Sequence, residues 1–493
     1  MDLFVNIFET IHEWIFLNYR WINIILVLVV IYWGRQRPAR STLMWILVLT
    51  LLPVFGFIPY LLLGLDTRRL NMFRIKGEQD QAIRVESKVQ ERMLVDLPEI
   101  FDDYEERATM GEVGELATLN LKLNQSVISA DNDVQVFTDG EEKFDSLIED
   151  VDHARHTIEV QYYIFKSDGL GTRLINHLID AAKRGVKVRF LSDGIGCRKL
   201  SRGDFRRMEE VGIEVGIFFP SVLRVVNLRM NYRNHRKIVV IDDEISYIGG
   251  FNVGDEYLGL DDKMGYWRDT HLRIHGSAAH SIKVRFIQDW YYATGKDPSE
   301  EPDFRLIEGP GTTLCQMAAS GPDTTMKNIK LSMIKMINQA DKRIDIQTPY
   351  YIPDSAFQEA LTIALQQGVE VNIMIPNKPD HPVVYPATLS FASSIAAYGA
   401  NIYRYENGFL HSKALIVDDV FSMVGSANID ERSFSLNFEA SEIVYSAEVN
   451  QKLRQAFDED IKKSTHLTKE WWESMPLRYK ILSPICRLFA PIL

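Results

Sequence analysis

Apolar and polar positions divide the chain into regimes. Thr42 to Leu65 is 24 residues without a charge, enough to cross a hydrocarbon core of about 30 Å at about 1.5 Å per residue. Upstream, Glu13 to Trp33 is a second apolar candidate. Its clean part, Ile22 to Trp33, is 12 residues, and Arg20 and Asn23 interrupt the extension, so spanning and interfacial placements both stand. Together the two runs predict a membrane hairpin joined by Gly34 to Ser41, with Pro53 and Pro59 kinking the second leg. A cleaved signal peptide fits poorly, because the acids Asp2, Glu9 and Glu13 come where a basic region is required. Arg35, Arg37 and Arg40 on one side nearly balance Arg68, Arg69, Arg74 and Lys76 on the other, so the positive-inside rule does not orient the hairpin. From about Lys76 to Leu119 charges of both signs mix, which predicts a solvated helical connector.

Alternating strand and helix patterns follow, twice. Thr157 to Phe165 reads as a strand, Thr172 to Arg184 as a helix, Gly185 to Leu191 as a strand, Phe205 to Glu210 as a helix and Gly212 to Val215 as a strand. The second unit repeats this order with Lys342 to Gln347, Ser355 to Gln367, Gly368 to Ile375, Ala387 to Tyr398 and Ala400 to Tyr403. Such alternation predicts an α/β fold of parallel βαβ units with helices on both faces. Gln161 and Gln347 each precede an aspartate, Asp168 and Asp354, by seven residues. Beyond Thr468, Trp471, Trp472, Tyr479, Ile481 and Ile485 alternate with Arg478, Lys480 and Arg487. That is the pattern of a helix lying on a bilayer or docked on the domain. The expected boundaries are 1–66 for the anchor, 67–120 for the connector, 121–305 and 306–466 for two similar halves, and 467–493 for the amphipathic end.

A duplicated motif gives the two units a common centre. His235-Arg-Lys237-Ile-Val-Val-Ile-Asp242 leads to Gly249-Gly250-Phe251-Asn252, and His411-Ser-Lys413-Ala-Leu-Ile-Val-Asp418 leads to Gly425-Ser426-Ala427-Asn428. The offset between copies is 176 throughout, so the match needs no gap. At 493 residues there is room for two domains and appendages. The net charge of -12 argues against a nucleic-acid partner but leaves a membrane open. Cys197, Cys315 and Cys486 are far apart, which argues against a disulfide framework or zinc site.

In a strand, His235 and Lys237 share a face, as do His411 and Lys413. An ammonium beside an imidazole suits a phosphate: the lysine takes charge from phosphoryl oxygens and the imidazole attacks phosphorus or carries a proton. Asn252 and Asn428 can donate to the same oxygens. Asp242 lies seven residues from His235, roughly 23 Å along a strand and on its opposite face. It therefore cannot orient that histidine, and Asp242 and Asp418 are expected in the turns that follow. Other carboxylates must fix the imidazoles, and Asp269 and Glu439, each downstream of its motif, are the candidates. No metal is expected. A set of His235, His271, His275 and His411 would place lysines against the cation.

These residues resemble the phospholipase D superfamily, whose mark is paired H-x-K-x(4)-D motifs. Asn234-His235, Tyr266-Trp-Arg-Asp-Thr-His271, Gly408-Phe-Leu-His411 and Asn428-Ile-Asp-Glu-Arg432-Ser433 are similar to its bacterial cardiolipin synthase branch, over nearly the whole chain. The resemblance implies two similar α/β halves related by pseudo-twofold symmetry behind an N-terminal transmembrane hairpin. It implies one site between the halves, with His235, Lys237, Asp242, His411, Lys413 and Asp418 as the catalytic sets and no cofactor. It further implies phosphatidyl transfer between two phosphatidylglycerol molecules, giving cardiolipin and glycerol through a phosphohistidine on His235 with His411 as acid and base. The setting implied is a multi-pass cell-membrane protein with a cytoplasmic catalytic domain. Hydrolysis, another alcohol acceptor and a catalytically silent scaffold are the alternatives. Arg198, Lys199, Arg202, Arg206 and Arg207 form either a headgroup patch or a solvated helix face.

Overall fold

The computed structural model describes residues 2–35, 39–64, 104–220, 232–296, 309–324 and 326–490. Arg37, Arg68, Arg69, Arg74 and Lys76, on which the charge comparison rests, lie outside the described residues, as does most of the connector.

The first half contributes β1 (Ser129–Phe137), β2 (Thr157–Tyr162), β3 (Lys187–Asp193), β4 (Glu214–Phe218), β5 (Ile238–Ile241), β6 (Ile245–Gly249), β7 (Trp267–Arg268) and β8 (His271–His275). The second contributes β9 (Thr313–Ser320), β10 (Arg343–Gln347), β11 (Glu370–Pro376), β12 (Asn401–Tyr405), β13 (Phe409–Leu410), β14 (Ala414–Val417), β15 (Phe421–Gly425), β16 (Glu439–Tyr445) and β17 (Ser464–His466). Fifteen strands form one sheet in the order β17-β12-β11-β10-β14-β15-β16-β9-β1-β8-β6-β5-β2-β3-β4. Read outward from the β9–β1 seam, the two arms match strand for strand, with β17 added at one edge.

Among the described residues, parallel pairing within this sheet is confined to β2-β3-β4 and β10-β11-β12, while β7 and β13 pair in parallel as a separate two-stranded sheet. The strand after each His-x-Lys runs antiparallel to its neighbours. The expectation of parallel βαβ units thus covers only part of the sheet, because short hairpins such as β5-β6 and β14-β15 can join only antiparallel strands.

Asp168 and Asp354 are the N-caps of equivalent helices, Gly169–Lys183 and Ser355–Gln366; their side chains accept from the Gly171 and Phe357 amides. Each half has its own core, and a third cluster draws on both. Ile238, Val240, Ile248 and Leu272 meet Ile416, Val424, Phe438 and Val444 there. This shared core fixes how the halves face each other.

Three expectations change. The helix Tyr104–Asn124 is no solvated connector: Val113, Leu116, Ala117 and Leu121 are buried in the second half's core. Among the described residues, the helix long and apolar enough to cross a membrane, by length and composition, is the first, α1 (Asp2–Gly34), through Leu17–Gly34. The uncharged run is broken, since α2 (Ala39–Leu51) stops before Pro53. Asn23 explains both facts: its amide donates to Leu49 O at 3.1 Å and its carbonyl accepts from Val54 N at 3.1 Å, so the polar residue inside α1 satisfies backbone freed by the break. Finally, the C-terminal helix Leu477–Arg487 does two things at once. Tyr479 packs on Tyr385 and Arg487 on Phe391, while Leu477, Ile481, Ile485 and Leu488 stay exposed along one stripe.

Candidate active site

The His-x-Lys residues lie just before β5 and β14 rather than within them. His235 is held instead by the other half: its amide donates to Phe438 O at 2.9 Å. His411 N likewise donates to Arg268 O at 2.7 Å. The alternation that puts histidine and lysine on one side still holds locally. Lys237 Nζ returns to His235 O at 2.5 Å, and Lys413 Nζ donates to His411 O. Arg236, between them, points the other way into the interior.

Each histidine takes its carboxylate from the opposite half. His235 Nδ1 lies 3.0 Å from Glu439 Oε2, and His411 Nδ1 lies 2.5 Å from Asp269 Oδ2. The sequence places both carboxylates near the histidines; it does not disclose the crossing. Glu439 and Asp269 have no exposure, and Ser426 Oγ (2.5 Å) and Asn437 Nδ2 (3.1 Å) donate to Glu439. Gly250 is required where it stands, since a Cβ there would come within 1.9 Å of Asp269 Oδ1. Tyr163 packs edge-on to His235 at 4.8 Å, and Trp267 lies 5.2 Å from His411. No spacing rule points to these two aromatics.

Asp242 and Asp418, counted in the catalytic sets by resemblance, stand at the far ends of β5 and β14. Asp242 accepts from the amides of Arg155, His156 and Thr157 at 2.7, 2.7 and 2.9 Å. Asp418 accepts from Asp341, Lys342 and Arg343 at 2.7, 2.9 and 2.7 Å. Both adopt left-handed backbone, φ 53° and 45°, which aspartate tolerates in turns. They tie the motif strand to the start of its neighbour and do not touch the histidines. Asn252 commits its carbonyl to Ile164 N (3.0 Å) and one N–H to the Tyr257 hydroxyl (2.9 Å), leaving one N–H to give. Asn428 is buried at the equivalent place. In the basic patch, Arg207 is tied to Asp204 and Asn176.

Burial lowers the basicity of the whole cluster. It pushes His411 down to about 3, with Lys413 adding to the effect against Asp269, and lowers His235 against the pull of Glu439. Burial also brings Lys237 to about 7, opposed first by Glu439, and Lys413 to about 8, opposed first by Asp269. The carboxylates go the other way. Burial alone would raise them, but Lys413 and His411 outweigh it at Asp269, and His235 does so at Glu439. Two neutral imidazoles with free Nε2 atoms, each braced by an ionised carboxylate and flanked by lysines, can attack a phosphodiester and shuttle its proton.

A site shared by two such halves defines a phosphodiester-transferring protein of the phospholipase D class. Within that class, the family described as cardiolipin synthase, phospholipase D-like domain, matches residues 147–290 and 333–461, one stretch in each half. The phospholipase D-nuclease N-terminal family matches residues 21–64. The chain is 45% identical over 478 residues to the major cardiolipin synthase ClsA of Bacillus subtilis, covering 96% of this chain and 97% of that one. It is 44% identical over 474 residues to a cardiolipin synthase of Staphylococcus aureus, covering 96% and 95%. The chain belongs to the cardiolipin synthase family, membrane-associated phosphatidyltransferases of the phospholipase D superfamily. The crystal structure of phosphatidylserine synthase from Haemophilus influenzae shares its fold, with a TM-score of 0.59 at 16% identity over 77% of this chain and 100% of that one.

Proposed function

We propose that this enzyme transfers a phosphatidyl group from one phosphatidylglycerol to the glycerol hydroxyl of a second. The crossed pairs His235–Glu439 and His411–Asp269 carry the reading, because they give one pocket a nucleophile and a separate proton carrier. Neutral His235 attacks phosphorus through Nε2, and Lys237, Lys413 and the remaining amide hydrogens of Asn252 and Asn428 take the non-bridging oxygens. The bond from phosphorus to the headgroup oxygen breaks, and His411 Nε2–H protonates the departing glycerol. His411 then removes the proton from the second lipid's hydroxyl, whose oxygen attacks phosphorus and releases His235.

His411 needs a proton for the first step, although it sits at about 3 in the empty site. The substrate supplies the bias. A phosphodiester charge about 4 Å away contributes roughly 4 kcal/mol at an effective dielectric of about 20, about three pH units. Binding therefore brings His411 toward the range where it can hold and release a proton. The membrane hairpin, with α1 and α2 as its two legs, and the exposed stripe on the C-terminal helix keep the site at the lipid surface. There a lipid hydroxyl competes with water.

Purified protein given phosphatidylglycerol liposomes should yield cardiolipin and an equal amount of glycerol. Phosphatidic acid as the main product would replace the lipid acceptor by water and overturn the transferase reading. His235→Ala should abolish the covalent intermediate. An intermediate that persists in it and disappears in His411→Ala would reverse the two roles.

A further inference from the structure

Behind each orienting carboxylate lies the same four-part assembly. Under Glu439, Arg236 Nε donates to the Glu439 carbonyl at 3.1 Å, its Nη2 to Ser320 O at 3.3 Å, and its Nη1 to Asp289. Asp289 also receives Gln161 Nε2 at 2.8 Å. Under Asp269, Arg268 Nη1 donates to the Asp269 carbonyl and, at 3.1 Å, to Thr270 Oγ1, while its Nε pairs with Asp460 at 2.7 Å. Asp460 receives Gln347 Nε2 at 2.9 Å. The glutamines, the aspartates and the carboxylates correspond between the halves. The arginines do not. Arg236 follows its histidine, and the matching place in the second copy is Ser412. Arg268 precedes its carboxylate, and the matching place there is Phe438, whose ring lies under Arg236 at 5.4 Å.

We infer that Arg236 and Arg268 are positioning residues performing one task from two unrelated sequence positions: each fixes the backbone of the carboxylate that orients a histidine. Both arginines belong to the first half and the second half has neither, yet each guanidinium donates to the main-chain carbonyl of an orienting carboxylate and pairs with a helix aspartate. A fork with several fixed donors can hold a helix carboxylate and a strand carbonyl together, which a single ammonium cannot. Arg236 also sits between His235 and Lys237, so its anchorage sets the backbone that carries both. Since each arginine spans the two halves, it fixes the separation on which in-line transfer depends.

This inference rests on Asp269 and Glu439 orienting the histidines and is independent of the acceptor. The readout is therefore total glycerol release from phosphatidylglycerol, which counts transfer to lipid and to water alike. Arg268→Phe should lower kcat at least about tenfold with KM within about twofold. Its pH–kcat profile should move to lower pH, because a loosened carboxylate supports the imidazolium less. The decisive variant moves the arginine to the place used in the other copy: Ser412→Arg with Arg268→Phe should recover most of kcat and return the profile. A folded double variant no better than Arg268→Phe alone would overturn the inference. If the double variant does not fold, Arg268→Lys decides. It keeps the pairing with Asp460 but reaches one further acceptor instead of two, and should lose about tenfold in kcat with KM unchanged. Full activity in the lysine variant would overturn the inference.

Discussion

Replacing Glu439 by glutamine changes one atom type and tests how the site assigns its protons. Oε1 of Glu439 accepts from Asn437 and Oε2 from Ser426 and His235. With the Asn437 Nδ2 hydrogens kept on the atom that replaces Oε1, the glutamine carbonyl takes that place and the new NH2 faces His235. Nδ1 then becomes an acceptor and the proton moves to Nε2, the atom that should attack phosphorus. The hydrogen bond also loses its charge assistance, about 1.5–3 kcal/mol against about 1 for a neutral one. The analogous carboxylate-to-amide change in a serine-histidine-aspartate triad costs about 10⁴ in kcat through the wrong tautomer. In addition, Glu439 is the largest influence keeping Lys237 charged against its burial, so less of the ammonium survives without it. Together these place the loss in kcat between about 10² and 10⁴.

The assay is rapid quenching with phosphatidylglycerol labelled in its headgroup, which resolves the first-turnover burst of glycerol from the steady state. In Glu439→Gln the burst should slow with kcat, and a phosphatidyl ester with an activated phenol leaving group should not restore it, since attack itself is impaired. Asp269→Asn impairs protonation of the leaving group instead, so the activated ester should rescue its first turnover. More than a tenth of wild-type kcat in Glu439→Gln, or rescue of both variants alike, would refute the tautomer argument.

Other outcomes follow from the same geometry. The quantity kcat/KM reports the empty enzyme, in which Lys237 and Lys413 lie at about 7 and about 8. Their ammonium charge is present below those values and lost above them, so kcat/KM should fall as pH rises through 7 to 8; a profile flat to about pH 9 would contradict this. Asp242→Ala removes three hydrogen bonds to backbone amides, a loss on the order of 3 kcal/mol or more. It should show as a lower thermal midpoint in detergent, with kcat of the remaining folded enzyme within about threefold. Collapse of kcat at unchanged midpoint would return Asp242 to the chemistry. Ile481→Asp with Ile485→Asp should shift product from cardiolipin toward phosphatidic acid by loosening the lipid seal; an unchanged ratio would separate that stripe from the membrane.

The motif is legible because it is local: four chemical positions and an apolar strand recur at one offset, and chance does not produce that. The need for a carboxylate other than Asp242 is also legible, from the reach of an extended chain. Which carboxylate serves which histidine is not, because the pairs lie 204 and 142 residues apart and depend on two copies facing each other. The His-x-Lys segments read as strand because their side chains alternate, yet their backbone hydrogen bonds go to the opposite half and the ladder starts only at Ile238 and Ala414. The uncharged run reads as one continuous helix for a related reason. Hydropathy counts charges, whereas α2 ends on backbone grounds at Pro53, and Asn23, on its face a blemish in α1, repairs that end. Helix Tyr104–Asn124 is hidden by its average composition, since its buried residues form one stripe among exposed charges.

The crossing of the carboxylates has a bearing on how such a protein could arise. A solitary copy of the unit would own a histidine and a carboxylate that cannot meet, and would become catalytic only when two identical copies came together about a twofold axis. Joining them in one polypeptide removed the dependence on concentration and released each copy from identity with the other. The arginines show what that freedom permits: a symmetric pair must change both places at once, but a fused pair can place its two supports differently. Separately expressed halves that restored turnover only on mixing would recover that ancestral arrangement in the laboratory.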